Sequence, residues 1–302
     1  MIVNKANLSA LFVSINMTFN NALKDAPNTW QKIAMKVPST GKSEQYNWLS
    51  NFPAMKRWVG EKAVKSLSAH KYTIENDDWE ATIEVDRNDI EDDSTGQYAI
   101  QAKGAGRSAG MLPDEIVFEV LNLGFKRPCY DGQYFFDTDH PVGKNSVSNK
   151  GSKKLSIESL AAAMASYGAA RTALRNMKDD EGRPLDVNPN ILLVPPALED
   201  VANALMTADR LEDGKVNIYK GTAEVVVSAR ITSDTAWFLL DTTQAVLPII
   251  YQERKAPVLV EQTNMNSDGV FKRKKFLFGA EARAAGGYGF WQLAYGSTGS
   301  DA

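Results

Sequence analysis

The stretch that decides the fold runs from residue 72 to residue 98 and reads YTIENDDWEATIEVDRNDIEDDSTGQY. Tyr72 and Ile74 alternate with polar residues, and a second alternation runs from Trp79 to Val85. A period of two is typical of a strand with one apolar and one polar face. With turn residues at 76–78, the pattern predicts a β-hairpin over residues 70–86. Because an isolated two-stranded ribbon is marginal in water, its apolar face needs a partner surface.

The same stretch is strongly acidic, with only Lys71 and Arg87 opposing the carboxylates of residues 71–93. A compact basic run, KRKK, occupies residues 272–275. The pattern indicates either two solvated surfaces or two surfaces that attract each other. The net charge of -3 argues against a strong general attraction to nucleic acid.

Residues 7–26 have the apolar spacing of an amphipathic helix. Asn7 and Ser9 are candidate caps, and Pro27 closes the segment. The apolar stripe is wide for a terminal helix, so it must lie on its own domain or on a neighbouring subunit. The stripe consists of Leu8, Leu11, Phe12, Ile15 and Phe19.

The order of the remaining elements predicts an α+β fold. A long helical region covers residues 95–123, with a break at Leu112 and a restart at Pro113. Residues 156–178 form a second helix, residues 191–194 a buried strand, and a third helix follows Pro196. Strands are expected after residue 221, at residues 225–231, 237–240, 246–251, 258–261, 271–278 and 289–295. This order lacks the regular alternation that builds a doubly wound parallel sheet.

Composition excludes several classes of protein. A single cysteine, Cys129, excludes an internal disulfide framework, and Cys129, His70 and His140 are too few for the usual structural zinc site. The sequence has neither a signal peptide pattern nor an apolar run long enough for a bilayer. We therefore expect a protein that folds in a reducing cytoplasm and has no membrane partner.

Three fragments resemble parts of enzyme sites. Residues 41–43 read GKS, but a phosphate-binding loop needs a glycine where Lys36 stands, and Pro38 has no amide to donate. Residues 104–110 read GAGRSAG, whose third glycine is one residue late for a dinucleotide turn, and close helix packing explains them better. Residues 137–140 read DTDH, which is more typical of a structured turn than of an ion or acid–base site. Cys129 is expected to be a buried or incidental thiol. We expect no enzyme activity, no cofactor and no metal.

Several stretches together resemble the gpT major head subunits of Mu-like tailed phages. They are residues 2–8 with the helix that follows, residues 72–98, residues 131–141 (DGQYFFDTDHP) and residues 192–199 (LLVPPALE). The resemblance runs from end to end of the chain, and it rests on the order and spacing of the stretches.

The resemblance implies the Hong Kong 97-type capsid fold, which is α+β. The implied parts are an N-terminal arm (residues 1–50), an extended hairpin loop (51–94), a peripheral domain with a spine helix (95–135 and 255–302) and an axial domain (136–254). The implied function is self-assembly, as pentamers and hexamers, into an icosahedral shell that encloses the phage genome. Implied partners are a separate scaffold and protease, a portal, a decoration protein, and packaged double-stranded DNA contacted non-specifically. The implied location is the virion head, after synthesis in the bacterial host cytoplasm.

The resemblance also implies that the acidic hairpin covers a neighbouring subunit near the basic run. The residues expected at inter-subunit contacts are Leu8, Leu11, Phe12, Ile15, Phe19, Tyr72, Ile74, Trp79, Glu80, Ile83, Glu84, Lys272, Arg273, Lys274 and Lys275. Two other functions stay open at this point: an encapsulin-type compartment, which shares the fold, and another virion protein such as a tail-tube subunit.

Overall fold

The computed structural model describes residues 5–50, 71–91, 96–179, 181–264 and 268–301. Its helices are α1 (Lys5–Lys24), α2 (Arg87–Glu91), α3 (Gly96–Asn122), α4 (Leu160–Arg175), α5 (Glu199–Thr207) and α6 (Asp268–Arg273). Its strands are β1 (Ala34–Pro38), β2 (Ser43–Gln45), β3 (Thr73–Glu75), β4 (Asp77–Asp86), β5 (His140–Val142), β6 (Asn145–Val147), β7 (Lys150–Gly151), β8 (Ile191–Val194), β9 (Glu224–Val227), β10 (Trp237–Leu240), β11 (Ile249–Gln262), β12 (Lys275–Tyr288) and β13 (Ala294–Ser297). The mixture confirms the predicted α+β class.

Within the described residues, one sheet has the strand order β1-β11-β12-β4. Strands β11 and β12 are 14 residues long each and pair antiparallel. Helix α3 lies across one face of this sheet, where Gly286 of β12 approaches Val120 and Ile116 so closely that a Cβ atom would clash with both. The apolar face of α3 is thereby buried, and each large aliphatic side chain covered in this way contributes roughly 1.5–3 kcal/mol.

Helix α3 runs through Pro113 without a break, so the predicted restart at this residue is wrong. A proline inside a helix costs about 3 kcal/mol because it removes one backbone hydrogen bond and crowds the preceding turn. Ile116, Val117 and Leu121 are almost fully buried beyond it. We infer that their burial offsets the cost, which the local sequence alone cannot reveal.

Helix α1 packs on α3, as one of the two alternatives predicted for it. A Cβ atom on Gly106 would lie 2.3 Å from the backbone oxygen of Phe19, and one on Gly110 would lie 2.5 Å from that of Leu23. The two helices therefore touch backbone to backbone, which only glycine permits at these positions. This explains Gly106 and Gly110 as residues of a helix contact, as the sequence indicated, whereas Gly104 has no neighbour within 4 Å.

A second sheet has the order β7-β13-β10-β8-β9. Strands β8 and β10 lie at its centre and are buried at every position. Two strands join a different sheet from the one that the predicted division into arm, peripheral domain and axial domain would give them. Strand β1, from the predicted arm, joins the first sheet, and β13, from the predicted peripheral domain, joins the second. The domain boundaries themselves remain a prediction.

The predicted hairpin over residues 70–86 is wrong. Strand β3 pairs with β2, and β4 pairs with β12 over residues 275–284. Asn76 lies between β3 and β4, and it binds the loop before β2: its Nδ2 donates to Ser39 Oγ (2.8 Å) and to the oxygen of Gly41 (3.0 Å). The polar residues at 76–78 thus pass the chain from one sheet to another instead of reversing it.

Other predicted strand limits also need correction. Residues 246–251 and 258–261 are not two strands but fall mainly within the single strand β11, and Pro257 sits at an irregularity in its pairing, where a missing N–H costs no ladder bond. Residues 271–273 are helical, so β12 begins later than predicted. Residues 289–295 contain a short 3₁₀ turn before β13. Among the described residues, no helix combines the length and apolarity that crossing a membrane demands.

Candidate inter-subunit surfaces and a buried Cys–Asp–His cluster

The predicted contact face of α1 is used within the chain. Ile15 and Phe19 are buried, and the ring of Phe12 stacks on Phe278 of β12 with 6.1 Å between centroids. Leu11 is partly buried in the same cluster. The side chain of Leu8 lies outside the described residues. The opposite face of α1 exposes Val13 and Met17, the latter by 62%. Whether the helix also touches a second subunit remains a prediction.

The apolar residues expected at the hairpin contact also find partners within the chain. Ile74 is buried, the hydroxyl of Tyr72 accepts a hydrogen bond from the amide of Tyr288 (2.9 Å), and Trp79 Nε1 donates to the oxygen of Ala284 (3.0 Å). Ile83 belongs to the cluster beneath α1. The apolar side chains of this stretch thus pack largely on β12 and the core, and its polar face points outward.

The acidic strand and the basic run meet within one chain. Lys275 Nζ lies 2.5 Å from Glu84 Oε2. The hydrogen bond from Lys275 and its positive charge lower the pKa of Glu84. Lys272 and Arg273 end α6, and Lys274 has a left-handed backbone (φ 55°), with its oxygen accepting from the amide of Arg87 (2.9 Å). The expectation that the whole basic run lies in a strand is therefore wrong. The basic run does lie near the acidic strand, but within the same subunit.

At one end of the first sheet, the strands β11, β12 and β4 have an outward side that no other part of the described chain covers. We call it the outer sheet face, and it consists of Val258, Val260, Leu277, Gly279, Glu281, Glu80, Thr82 and Glu84, which lie in register on three adjacent strands. Val258 and Val260 are 39% and 36% exposed. The valines lie on the β11 side of this face and the carboxylates toward β4, and such a combination of exposed apolar and charged residues is typical of a contact surface.

Like charges face each other on this surface. Glu281 of β12 pairs directly with Glu80 of β4, a placement that destabilises a sheet. Lys255 Nζ reaches Glu281 at 2.9 Å, whereas Glu80 Oε2 accepts only a hydroxyl bond from Thr82 (2.7 Å) among the contacts described. A cationic group from another molecule would relieve this repulsion.

The structure also brings together a group that the sequence analysis missed. Cys129 Sγ donates to Asp131 Oδ1 (3.1 Å), and His140 Nδ1 lies 2.7 Å from Asp131 Oδ2. Burial acts to raise the pKa of Asp131, but hydrogen bonds from His140 and Cys129 outweigh it and lower this pKa. Burial, together with the charge of Asp131, raises the pKa of the Cys129 thiol. The group is therefore a hydrogen-bonded cluster with a protonated thiol.

A local turn assembles this cluster. The amide of Cys129 donates to the oxygen of Gln133 (2.8 Å), and Gly132 between them has φ +90°. His140 is fully buried and stacks on Trp291 with 3.9 Å between centroids. The sequence pattern groups His140 with Asp137 and Asp139, which precede it, whereas its carboxylate partner, Asp131, lies nine residues upstream. The pattern C-x-D beside a tight glycine turn was the available signal.

Comparison with known proteins identifies the family. The family model described as "Mu-like prophage major head subunit gpT" matches residues 8–159, 156–231 and 228–300. The chain belongs to this gpT family. The major capsid protein of Escherichia phage Mu is 35% identical over 294 residues, which cover 97% of this chain and 74% of that protein. The Mu-like prophage FluMu major head subunit of Haemophilus influenzae is 34% identical, over 95% of this chain and 72% of that protein.

Solved structures agree with the gpT assignment. The procapsid of bacteriophage JBD30 matches with a TM-score of 0.61 and 32% identity, covering 98% of this chain and 76% of that one. A virus-like particle from Pyrococcus furiosus matches with a TM-score of 0.57 at 12% identity, over 95% of this chain and 98% of that one, which shows the fold alone. The chain is thus a major capsid subunit of Mu-like type with the Hong Kong 97-type fold, and its place is the virion head. The gpT match favours this function over the compartment and tail-tube alternatives.

Proposed function

We propose that this gpT subunit builds its shell by laying residues 51–71 of one copy on the outer sheet face of the next. The observation that carries this proposal is the outward apolar patch with its opposed Glu80 and Glu281. Residues 51–71 have the complementary composition: Lys56, Arg57, Lys62, Lys65 and Lys71 against Glu61 alone, with apolar residues between them. Their structure lies almost wholly outside the described residues. Residues 73–86 are committed to sheets in their own chain. Residues 51–71 and 87–94 remain of the predicted loop, and only the first of these two segments is basic.

Each exposed ion pair would contribute only about 0.2–1 kcal/mol and would weaken with salt. Such pairs therefore set register and orientation more than affinity. Burial of Val258, Val260 and Leu277 would contribute the larger part. Many weak copies of one contact suffice, because closure of a shell makes the assembly multivalent.

A charge-reversal experiment tests this contact. Glu80→Lys together with Glu281→Lys should reduce the yield of closed shells in electron micrographs and by sedimentation. Adding Lys62→Glu and Lys65→Glu should restore part of that yield. Glu119→Lys, which changes an exposed charge on the helix behind the sheet, serves as the matched control and should assemble normally. Normal shells from the double lysine variant would refute the contact.

We further propose that the shell encloses double-stranded DNA without gripping it, since the chain is near neutral overall. A scaffold and protease, a portal and a decoration protein act as separate partners. One JBD30 structure is a capsid decorated with minor capsid protein trimers, with a TM-score of 0.59 and 30% identity over 77% of this chain. Synthesis is in the host cytoplasm, and we propose no enzymatic activity. Electron microscopy of purified particles tests this: DNA and tails support the proposal, and enzyme cargo without DNA contradicts it.

A further inference from the structure

The cluster of Cys129, Asp131 and His140 contains the ligand types of a transition-metal site. One ligand atom from each residue lies within 4.8 Å of the other two. A thiolate, an imidazole and a carboxylate together suit Zn²⁺ or Co²⁺, whereas Ca²⁺ and Mg²⁺ take oxygen ligands in larger number. All three side chains are buried or nearly so.

His140 is already oriented as a metal-binding histidine would be. Asn149 Nδ2 donates to the backbone oxygens of Phe135, Trp291 and Ala294, at 2.8, 3.2 and 3.2 Å. Its Oδ1 is therefore the atom that faces His140 Nε2, at 3.2 Å. Nε2 must carry a hydrogen in order to donate to Asn149 Oδ1. In this orientation of the ring, Nδ1 points at the carboxylate of Asp131. Metal-binding histidines typically donate their second N–H to such an oxygen, which fixes the ring and the tautomer.

We propose that this cluster binds one zinc-class divalent cation through Cys129 Sγ, Asp131 and His140 Nδ1. The cation replaces two protons: the thiol proton and the proton shared between His140 Nδ1 and Asp131. Two positive charges enter and two leave, so the buried group keeps its net charge, and no uncompensated charge is created in the interior. Three protein ligands leave one position of a tetrahedral site open.

The distances permit this exchange with small movements. Metal–ligand bonds of about 2.0–2.3 Å imply separations between ligand atoms of roughly 3.3–3.6 Å in a tetrahedral site. The hydrogen-bonded separations are 2.7 Å and 3.1 Å. The two pairs that include Asp131 must therefore spread by less than 1 Å, while Cys129 Sγ and His140 Nδ1, which lie within 4.8 Å of each other, must reach the same tetrahedral separation. Because the site is closed to solvent, the cation enters during folding, and the closed loop would retain it afterwards. The proposal departs from the expectation of no metal, which rested on counting cysteines and histidines alone.

Cobalt substitution tests the proposal on the whole chain. The chain is produced in minimal medium supplied with Co²⁺ or Zn²⁺, purified, and measured for metal content and near-ultraviolet absorption. We expect about one cation per chain and a thiolate-to-cobalt charge-transfer band. Since Cys129 is the single cysteine of the sequence, that band can come from no other side chain. A folded wild-type chain without metal and without the band overturns the proposal.

Two variants distinguish a metal site from a loop that is held by hydrogen bonds alone. Cys129→Ser keeps a hydroxyl that donates to Asp131, so it should fold, and it should lose the band and at least ten-fold of the cation affinity. His70→Gln, at the other histidine of the chain, is the matched control and should change neither. Equal metal content in wild type and Cys129→Ser overturns the proposal, and so does loss of the band in His70→Gln. If Cys129→Ser fails to fold, the wild-type spectrum alone decides.

Discussion

The centre of the second sheet and the far end of the first sheet differ in how completely they are buried. Strands β8 and β10 are buried at every position, and they belong to a core that continues into α3, α4 and α5. From Glu253 to Val260, β11 alternates between half-buried and exposed residues, and the last residues of the strand are exposed. There the inner side rests on a smaller cluster that includes Ile15, Val85 and Phe278. The first region is complete within one chain, whereas the second leaves Val258 and Val260 partly exposed.

The largest expected effect comes from breaking the complete region. Leu239→Ala, at a fully buried position of β10, should lower the free energy of unfolding by about 2–5 kcal/mol, because the transfer and cavity terms add. Urea unfolding of the unassembled subunit measures this. Val260→Ala on the outer sheet face should change that free energy by about 0.5 kcal/mol or less. Equal losses in both variants would contradict the contrast between the regions.

A smaller effect is expected where α1 covers the second region. Gly106→Ala should lower stability by about 1–3 kcal/mol, because its Cβ would overlap the backbone of α1 and force the helices apart. Gly104→Ala, two residues earlier on α3, has no neighbour within 4 Å and should raise stability by up to about 1 kcal/mol through helix propensity. Thermal unfolding of the two variants gives the comparison. The same sign in both would rule out the close helix contact.

The outer sheet face should show opposite effects on folding and on assembly. Glu80→Gln removes the repulsion from Glu281 and should raise the melting temperature of the isolated subunit slightly. The same change removes charge that a cationic partner would use, so shell formation should slow, most clearly at low salt. Light scattering during assembly at two salt concentrations measures this. Faster assembly of Glu80→Gln would count against a cationic partner.

The smallest effect concerns the ion pair between Glu84 and Lys275. The pKa of Glu84 is lowered below its usual 4.5 in the folded chain, so the pair stabilises the fold above that pH. This contribution is lost as the pH falls from about 4.5 through the lower folded value. The melting temperatures of wild type and Glu84→Gln should differ at neutral pH and converge in acid. Lys275→Gln should show the same convergence, and the double variant should lose no more than either single one. If the melting temperatures still differ in acid, the ion pair is not the cause of the difference.

The sequence by itself determined the α+β class, an N-terminal helix (predicted over residues 7–26 and observed over Lys5–Lys24), the buried strand at 191–194, the strand at 237–240, and the gpT resemblance. These features depend on local periodicity or on the order of short stretches along the chain, and both are present in the sequence. The sequence also excluded the GKS fragment and the glycine-rich fragment as enzyme sites, because each lacks a residue that its chemistry needs. In the second fragment, the structure shows Gly106 and Gly110 at a helix contact.

Only the tertiary structure decided which strands pair and which side chains meet. Residues 77–86 alternate as a hairpin strand would, yet their partner is β12, and Glu84 and Lys275 are 191 positions apart. A period of two shows that a strand has two faces but not what covers them. The carboxylate beside His140 likewise comes from a glycine turn and not from its sequence neighbours. Pairing depends on the free energy of the whole packed chain, to which residues distant in sequence contribute as much as adjacent ones.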